Sequence, residues 1–205
     1  MSQEVNDITE SADEASQKAI REIAGHYEAI LRLIGENPGR EGLVKTPMRA
    51  ARALWFATSG SRGATPEAIL SKALFTHEGS QTVIVRDIEF YSLCEHHILP
   101  FFGTVSVGYI PDGQIVGLSK LARVVNAVAR RLQVQERLTA EICSAVEQTL
   151  HPKGVMVVCH ANHLCMQMRG VEKQQPATLT SHYTGLYAEQ PALREEFFRL
   201  LESQR

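Results

Sequence analysis

Two stretches of alternating apolar and polar residues, TVIVRDIEFYS from Thr82 and PFFGTVSVGYI from Pro100, follow each other across only a short connection. β-Branched and aromatic residues at a period of two suit a pleated, half-buried strand. Strands that neighbour each other in sequence favour antiparallel hairpins over parallel crossovers, and this restricts the fold more than any other feature of the chain. PDG at 111–113 marks a turn before the short run QIVG. Ser119 can cap a helix over KLARVVNAVARRL, and a second helix runs from about Glu136 to Leu150. GVMVVCHA, LCMQMRGV and ATLTSHYTG are strand-like, and ALREEFFRLLES closes the chain as a helix. The order from residue 81 onward, strand, strand, helix, helix, strand, strand, defines an α+β class.

Upstream the texture is helical. AIREIAGHYEAILRLIG carries Ile20, Ile23, Ala24, Tyr27, Ile30, Leu31 and Ile34 at helical spacing, with Gly35 to end it. Thr46-Pro47 and Thr65-Pro66 each read as an N-cap followed by proline at the first helical position. Residues 1–15 are acidic and polar and read as a flexible tail. The expected organisation is a tail over 1–15, a helical region over 16–80 and a catalytic domain over 81–205.

Composition excludes several functions. The formal net charge of −2 supplies no basic field for nucleic acid or anionic membranes. No run approaches the roughly 20 apolar residues of a membrane span, and the N-terminus lacks the order of a secretory signal. A cytoplasmic location is the expectation, with no nucleic-acid or membrane partner. Four cysteines, Cys94, Cys143, Cys159 and Cys165, are too few for a disulfide scaffold. Cys143 and Cys159 sit in apolar patterns and read as small core residues.

The other two lie in the densest chemical cluster, Cys94-Glu95-His96-His97, with His163-Leu164-Cys165 far downstream. Two thiolates and an imidazole form a good zinc set, and three protein ligands leave a fourth tetrahedral position for water. A fourth protein ligand, His96 or His163, would instead make a closed structural site, and spacing does not choose between the two. In a turn Cys94 and His97 converge, whereas in a straight strand Cys94 and His96 share a face. If the downstream strand is continuous, His163, Cys165 and Arg169 point the same way. In GLSKLARVV, Ser119 at a helix start with Lys120 and Arg123 in the first turn is a candidate phosphate cradle. Glu136 opens the next helix, a position the helix dipole favours in any case.

CEHHILPF, GLSKLARVV, RLQVQERLT and HLCMQMRGV, in this order and spacing, resemble GTP cyclohydrolase I of the zinc-dependent type. The resemblance runs from Thr46 to the C-terminus. It implies a tunnelling fold, an antiparallel sheet with two helices on one face, whose subunits form pentameric rings that pair into a homodecamer. It implies Zn²⁺ held by Cys94, His97 and Cys165, with His96 and His163 as catalytic histidines. Gln135 and Glu136 match positions that grip the guanine edge. Ser119, Lys120, Arg123 and Arg169 match positions around the ribose and triphosphate, and Arg49 one that reaches a phosphate in a neighbouring subunit's site. The implied reaction takes GTP and water to 7,8-dihydroneopterin triphosphate and formate. A zinc-activated water opens guanine at C8, and a ribose rearrangement served by Ser119 precedes ring closure. His182 and Tyr183 stand where smaller residues are expected. Three rivals are a pterin- or deazaguanine-handling relative on the same fold, a nucleic-acid module with a structural zinc, and a non-catalytic ring.

Overall fold

The computed structural model describes residues 13–170, 172–173 and 177–202. Most of the expected tail, through residue 12, lies outside the described residues. The chain divides into two compact units between Ser59 and Gly60.

The first unit is a helical pair. Helix α1, Glu14–Leu33, starts where the Asp13 carboxylate accepts a hydrogen bond from Ser16 N at 2.8 Å. Helix α2 spans Thr46–Ala57. Thr46 is its first residue rather than its cap; Lys45 takes the cap position without a side-chain bond, and Thr46 Oγ1 donates back to Gly42 O at 3.4 Å. Ile20, Ala24 and Ala51 form the buried seam, flanked by Tyr27 and Trp55. The stripe is only partly used, since Ile30, Leu33 and Ile34 are exposed.

The second unit begins with helix α3, Pro66–Leu70, capped by Thr65 Oγ1 accepting from Ala68 N at 3.2 Å. Residues 60–80, read from sequence as part of the helical region, belong to this unit, and Leu70 is fully buried in its core. Strand β1, Leu74–Thr76, pairs antiparallel with β4, Gln114–Val116. The main sheet comprises β2 (Val83–Cys94), β3 (Pro100–Ile110), β5 (Leu132–Gln133), β6 (Gly154–His163) and β7 (Thr178–Tyr183). Their order is β5-β2-β3-β6-β7, antiparallel throughout except where β5 joins β2 in parallel.

Helices α4 (Leu118–Ala129) and α5 (Gln135–Leu150) cover one face. Their apolar sides, Leu121, Val125 and Val128 on one and Leu138, Ile142 and Val146 on the other, are fully buried. They meet Val105 and Val107 of β3 and Val155 and Val157 of β6. Each such side chain contributes about 1.5–3 kcal/mol by leaving water. Phe90 and Phe101 add an edge-to-face pair, ring centroids 5.7 Å apart.

The opposite face is covered at one end by the short helix α7 (Leu186–Glu189) and by α8 (Pro191–Glu202), through Tyr187 and Phe197 against Met156 and Val158. Gly108 makes this fit possible, because a Cβ there would lie 2.5 Å from the Phe197 ring.

Strand β2 changes phase midway. Val85 pairs with Val107 and Ile88 with Val105, so two residues of β2 oppose one of β3. Asp87 takes φ +55°, and its N–H donates to Ser106 Oγ at 3.2 Å. Before this bulge the odd positions Val83 and Val85 face the helices; after it the even positions Ile88, Phe90 and Cys94 do.

Candidate active site

Cys94 ends β2 on the helix-covered side and is buried. The chain then reverses through residues 95–97, with His97 N and Ile98 N donating to Cys94 O at 3.4 and 2.8 Å. Cys94 N donates to Leu99 O at 2.9 Å, and Ile98 takes φ +55°. This is the turn that brings Cys94 and His97 together: Cys94 Sγ lies 3.7 Å from His97 Nδ1, against 4.0 Å to His96 Nδ1.

Cys165 arrives by a route that alternation does not foresee. The expected strand over LCMQMRGV is absent; β6 ends at His163, and Leu164–Gln167 form a single helical turn, α6. Val171 of that motif lies outside the described residues. The shared face expected for His163, Cys165 and Arg169 on a straight strand is therefore not formed. Instead Cys165 meets Cys94 and His97, one ligand atom of each lying within 4.8 Å of the others.

This donor set fits a tetrahedral metal ion. Bonds of about 2.3 Å to sulfur and about 2.0 Å to nitrogen place neighbouring ligand atoms roughly 3.5 Å apart, close to the Cys94–His97 separation. Burial and the neighbouring Cys94 push the Cys165 thiol up, with Arg169 pulling against them. A divalent cation shared by the two sulfurs would reverse that balance by favouring both thiolates.

His163 is the last residue of β6 and lies opposite Phe101 in the sheet register. The two rings stack, centroids 4.7 Å apart and planes 2° from parallel. Its Nε2 is 2.8 Å from Gln135 Oε1. Burial holds its pKa below the ordinary histidine value, while Glu136 pulls the other way. His96 is exposed on the turn, its ring 6.2 Å from that of His97.

Gln135 and Glu136 open α5, and their environments differ. Glu136 is exposed; Gln135 is buried, its amide nitrogen donating to Cys159 O and Thr178 O, both at 3.0 Å, and to Thr180 Oγ1 at 3.2 Å. The remaining candidates lie on other segments, and of these Arg169 is in electrostatic reach of Cys165. Ser119, Lys120 and Arg123 occupy the first turns of α4, whose cap is Gly117 rather than the expected Ser119. Ser119 and Arg123 are exposed, as is Arg169 beyond α6. Arg49 is exposed on α2 in the first unit.

One tie was not foreseen from sequence. Arg137 Nη2 donates to Glu95 Oε2 at 2.5 Å and to Leu132 O at 3.0 Å, while its Nε donates to Gln133 Oε1 at 2.8 Å. Glu95 N donates to Gln133 O at 3.0 Å. The turn that carries Cys94 and His97 is thereby tied to the first turn of α5. Nothing in a lone Glu or Arg distinguishes such a bond from solvated surface charge.

The family model described as GTP cyclohydrolase I matches residues 23–202, nearly the whole chain. The chain belongs to the GTP cyclohydrolase I family. GTP cyclohydrolase 1 of Porphyromonas gingivalis is 54% identical over 189 residues, covering 92% of this chain and 97% of that one. The enzyme of the same name from Parabacteroides distasonis is 53% identical over 203 residues, 98% of this chain and 99% of that one. The one from Chlorobium chlorochromatii is 56% identical over 173 residues, covering 84% and 77%. An apo crystal structure of the archaeosine synthase QueF-Like overlaps 53% of this chain and 97% of that one. Its TM-score is 0.43 at 18% identity, too distant to bear on the argument. Every candidate residue of this GTP cyclohydrolase I chain, Arg49 included, falls inside the span matched by the family model.

Proposed function

We propose that Cys94, His97 and Cys165 hold zinc at the centre of the site where this chain converts GTP and water to 7,8-dihydroneopterin triphosphate and formate. The observation that carries the proposal is the convergence of those three ligand atoms, with Cys165 two residues beyond His163 and Glu136 in electrostatic reach of the His163 ring. Zinc bound there would lower the pKa of a water toward about 7 and supply the nucleophile for guanine C8.

The chain's own residues do the rest. Glu136, exposed at the head of α5, accepts two hydrogen bonds from guanine N–H groups. His163 and His96 move protons to and from the imidazole ring of guanine as it opens, each worth about 10²–10⁴-fold in rate. Lys120, Arg123 and Arg169 neutralise the triphosphate, and the exposed N-terminal end of α4 adds its backbone N–H groups. Ser119 serves the ribose rearrangement. Arg49 reaches a phosphate in a neighbouring subunit's site.

Assembly into two paired pentamers belongs to the same proposal. It is supported by β7 at one edge of the sheet and by β2, whose outer edge pairs, among the described residues, only with the two-residue β5. Long unpaired edges are places where a second chain adds on. Among the described residues no helix is long and apolar enough to cross a membrane, and a cytoplasmic location completes the reading.

The test is incubation of the purified protein with GTP, following formate and pterin fluorescence with and without a chelator. Both products, lost together on chelation and restored by zinc, are expected. Formate without pterin would remove Ser119 from its role, and neither product from a zinc-loaded protein would sink the proposal.

A further inference from the structure

We infer that Gln135 is a positioning residue, holding His163 with its proton on Nε2 so that Nδ1 is the only ring nitrogen able to exchange a proton with substrate. The inference rests on the reading of His163 as a proton carrier, and it gives Gln135 a different task from the guanine contact implied by resemblance.

Hydrogen-bond polarity locates the proton. The two faces of an amide are told apart only by their partners. Cys159 O and Thr178 O, both 3.0 Å from Gln135 Nε2, are carbonyl oxygens and only accept. Gln135 must therefore present its NH₂ to them, since the flipped amide would set oxygen against two oxygens. By exclusion Oε1 faces His163, and an amide oxygen only accepts. The proton in that 2.8 Å bond therefore sits on His163 Nε2.

The hydroxyls nearby agree. Thr139 Oγ1 donates to Gln135 O at 2.8 Å, which spends its proton. In the 2.6 Å contact between Thr139 and Thr180 the donor is then Thr180, and Thr180 Oγ1 is left to accept from Gln135 Nε2 at 3.2 Å. The two carbonyls fix the amide whichever way the hydroxyls turn. Gln135 is only 2% exposed, both ends of its amide are engaged, and the Phe101 ring holds the plane of His163. A half-exchanged tautomer would strand a buried acceptor, at a cost of about 1–3 kcal/mol.

The test compares wild type, Gln135→Met and Thr180→Val as zinc-loaded full-length proteins. Histidine-labelled protein is examined by solid-state nitrogen NMR, with His163→Asn assigning the signal. The expected result is a protonated Nε2 and a bare Nδ1 in wild type, and a mixture in Gln135→Met. With GTP, Gln135→Met should lose about 10-fold or more in kcat, within the range of one acid–base group, while KM stays unchanged. Thr180→Val, which leaves the Gln135–His163 bond in place and touches neither GTP nor His163, should lose a few-fold in kcat only, and it serves if Gln135→Met does not fold. A wild-type proton on Nδ1, or a raised KM with kcat retained, overturns the inference. The inferred tautomer together with full turnover by His163→Asn would remove His163 from proton transfer while upholding the grip of Gln135.

Discussion

At the scale of single residues, Glu136 and Gln135 show how one step along a helix start separates two environments, one exposed and one buried. Glu136→Gln keeps the shape and removes the charge. It is expected to lower kcat/KM for GTP by roughly 10–150-fold, the worth of a hydrogen bond to a charged group, with metal content by elemental analysis unchanged. Unaltered kinetics would take Glu136 out of the site. The four thiols divide in the same way. Burial pushes Cys143 and Cys159 up to about 12, so neither supplies a thiolate near neutral pH. Cys165→Ala should abolish both bound zinc and turnover, whereas Cys143→Ala should leave both intact. The separate natures of these cysteines were legible from their surroundings in sequence. Spacing left His97 and His96 open, because the choice depends on whether the chain turns or runs straight after Cys94; the resemblance named His97, and the hydrogen bonds to the Cys94 carbonyl form the turn that brings it nearer to Cys94 Sγ.

At the scale of elements, the long alternating runs and the strongly periodic helices were readable to within a residue or two at most ends, since each has many positions to average over; α1 starts at Glu14, five residues before its expected pattern, and α4 stops at Ala129, three before its expected end. The misreadings fall on short pieces. LCMQ makes one helical turn, too brief for any period to emerge, and its Leu-Cys-Met composition suits a strand equally well. The start of α4 went to Ser119 because a hydroxyl is the commoner cap, yet Gly117 holds the position. Strand β5 has two residues and no pattern at all, although it anchors the turn that carries Cys94 and His97 by pairing Gln133 with Cys94. Arg137 completes that anchorage from α5. Arg137→Ala should weaken zinc retention about 10–100-fold, the usual effect of losing a group that orients ligands from behind, measured by competition with a chelating indicator. Retention equal to wild type would show that the strand pairing alone holds the turn.

For the molecule as a whole, the buried thiols set a limit on alkaline stability. An unfolded cysteine ionises near pH 8.5, whereas Cys143 and Cys159 in the fold hold their protons to about 12. The unfolded state therefore binds fewer protons across that window, and stability falls as pH rises through it, by up to about 1.4 kcal/mol per pH unit for each thiol. Urea midpoints measured near pH 8 and pH 10 should drop further for wild type than for Cys143→Ala; parallel drops would show that other groups, the buried Tyr109 among them, carry the effect. The α+β order and the helix-covered sheet were visible from the sequence. The phase change inside β2 was not, since alternation alone does not reveal where it slips. Its consequence is a rule of parity. Deleting Asp87 alone would set Val85 and Ile88 two residues apart, the spacing of an unbroken strand, so Cys94 would keep its direction; deleting a residue between Ile88 and Cys94 would instead turn Cys94 to the other face and away from its two partners. A chain built on this plan absorbs the loss of one residue at the bulge, but between Ile88 and Cys94 it tolerates changes of length only in steps of two.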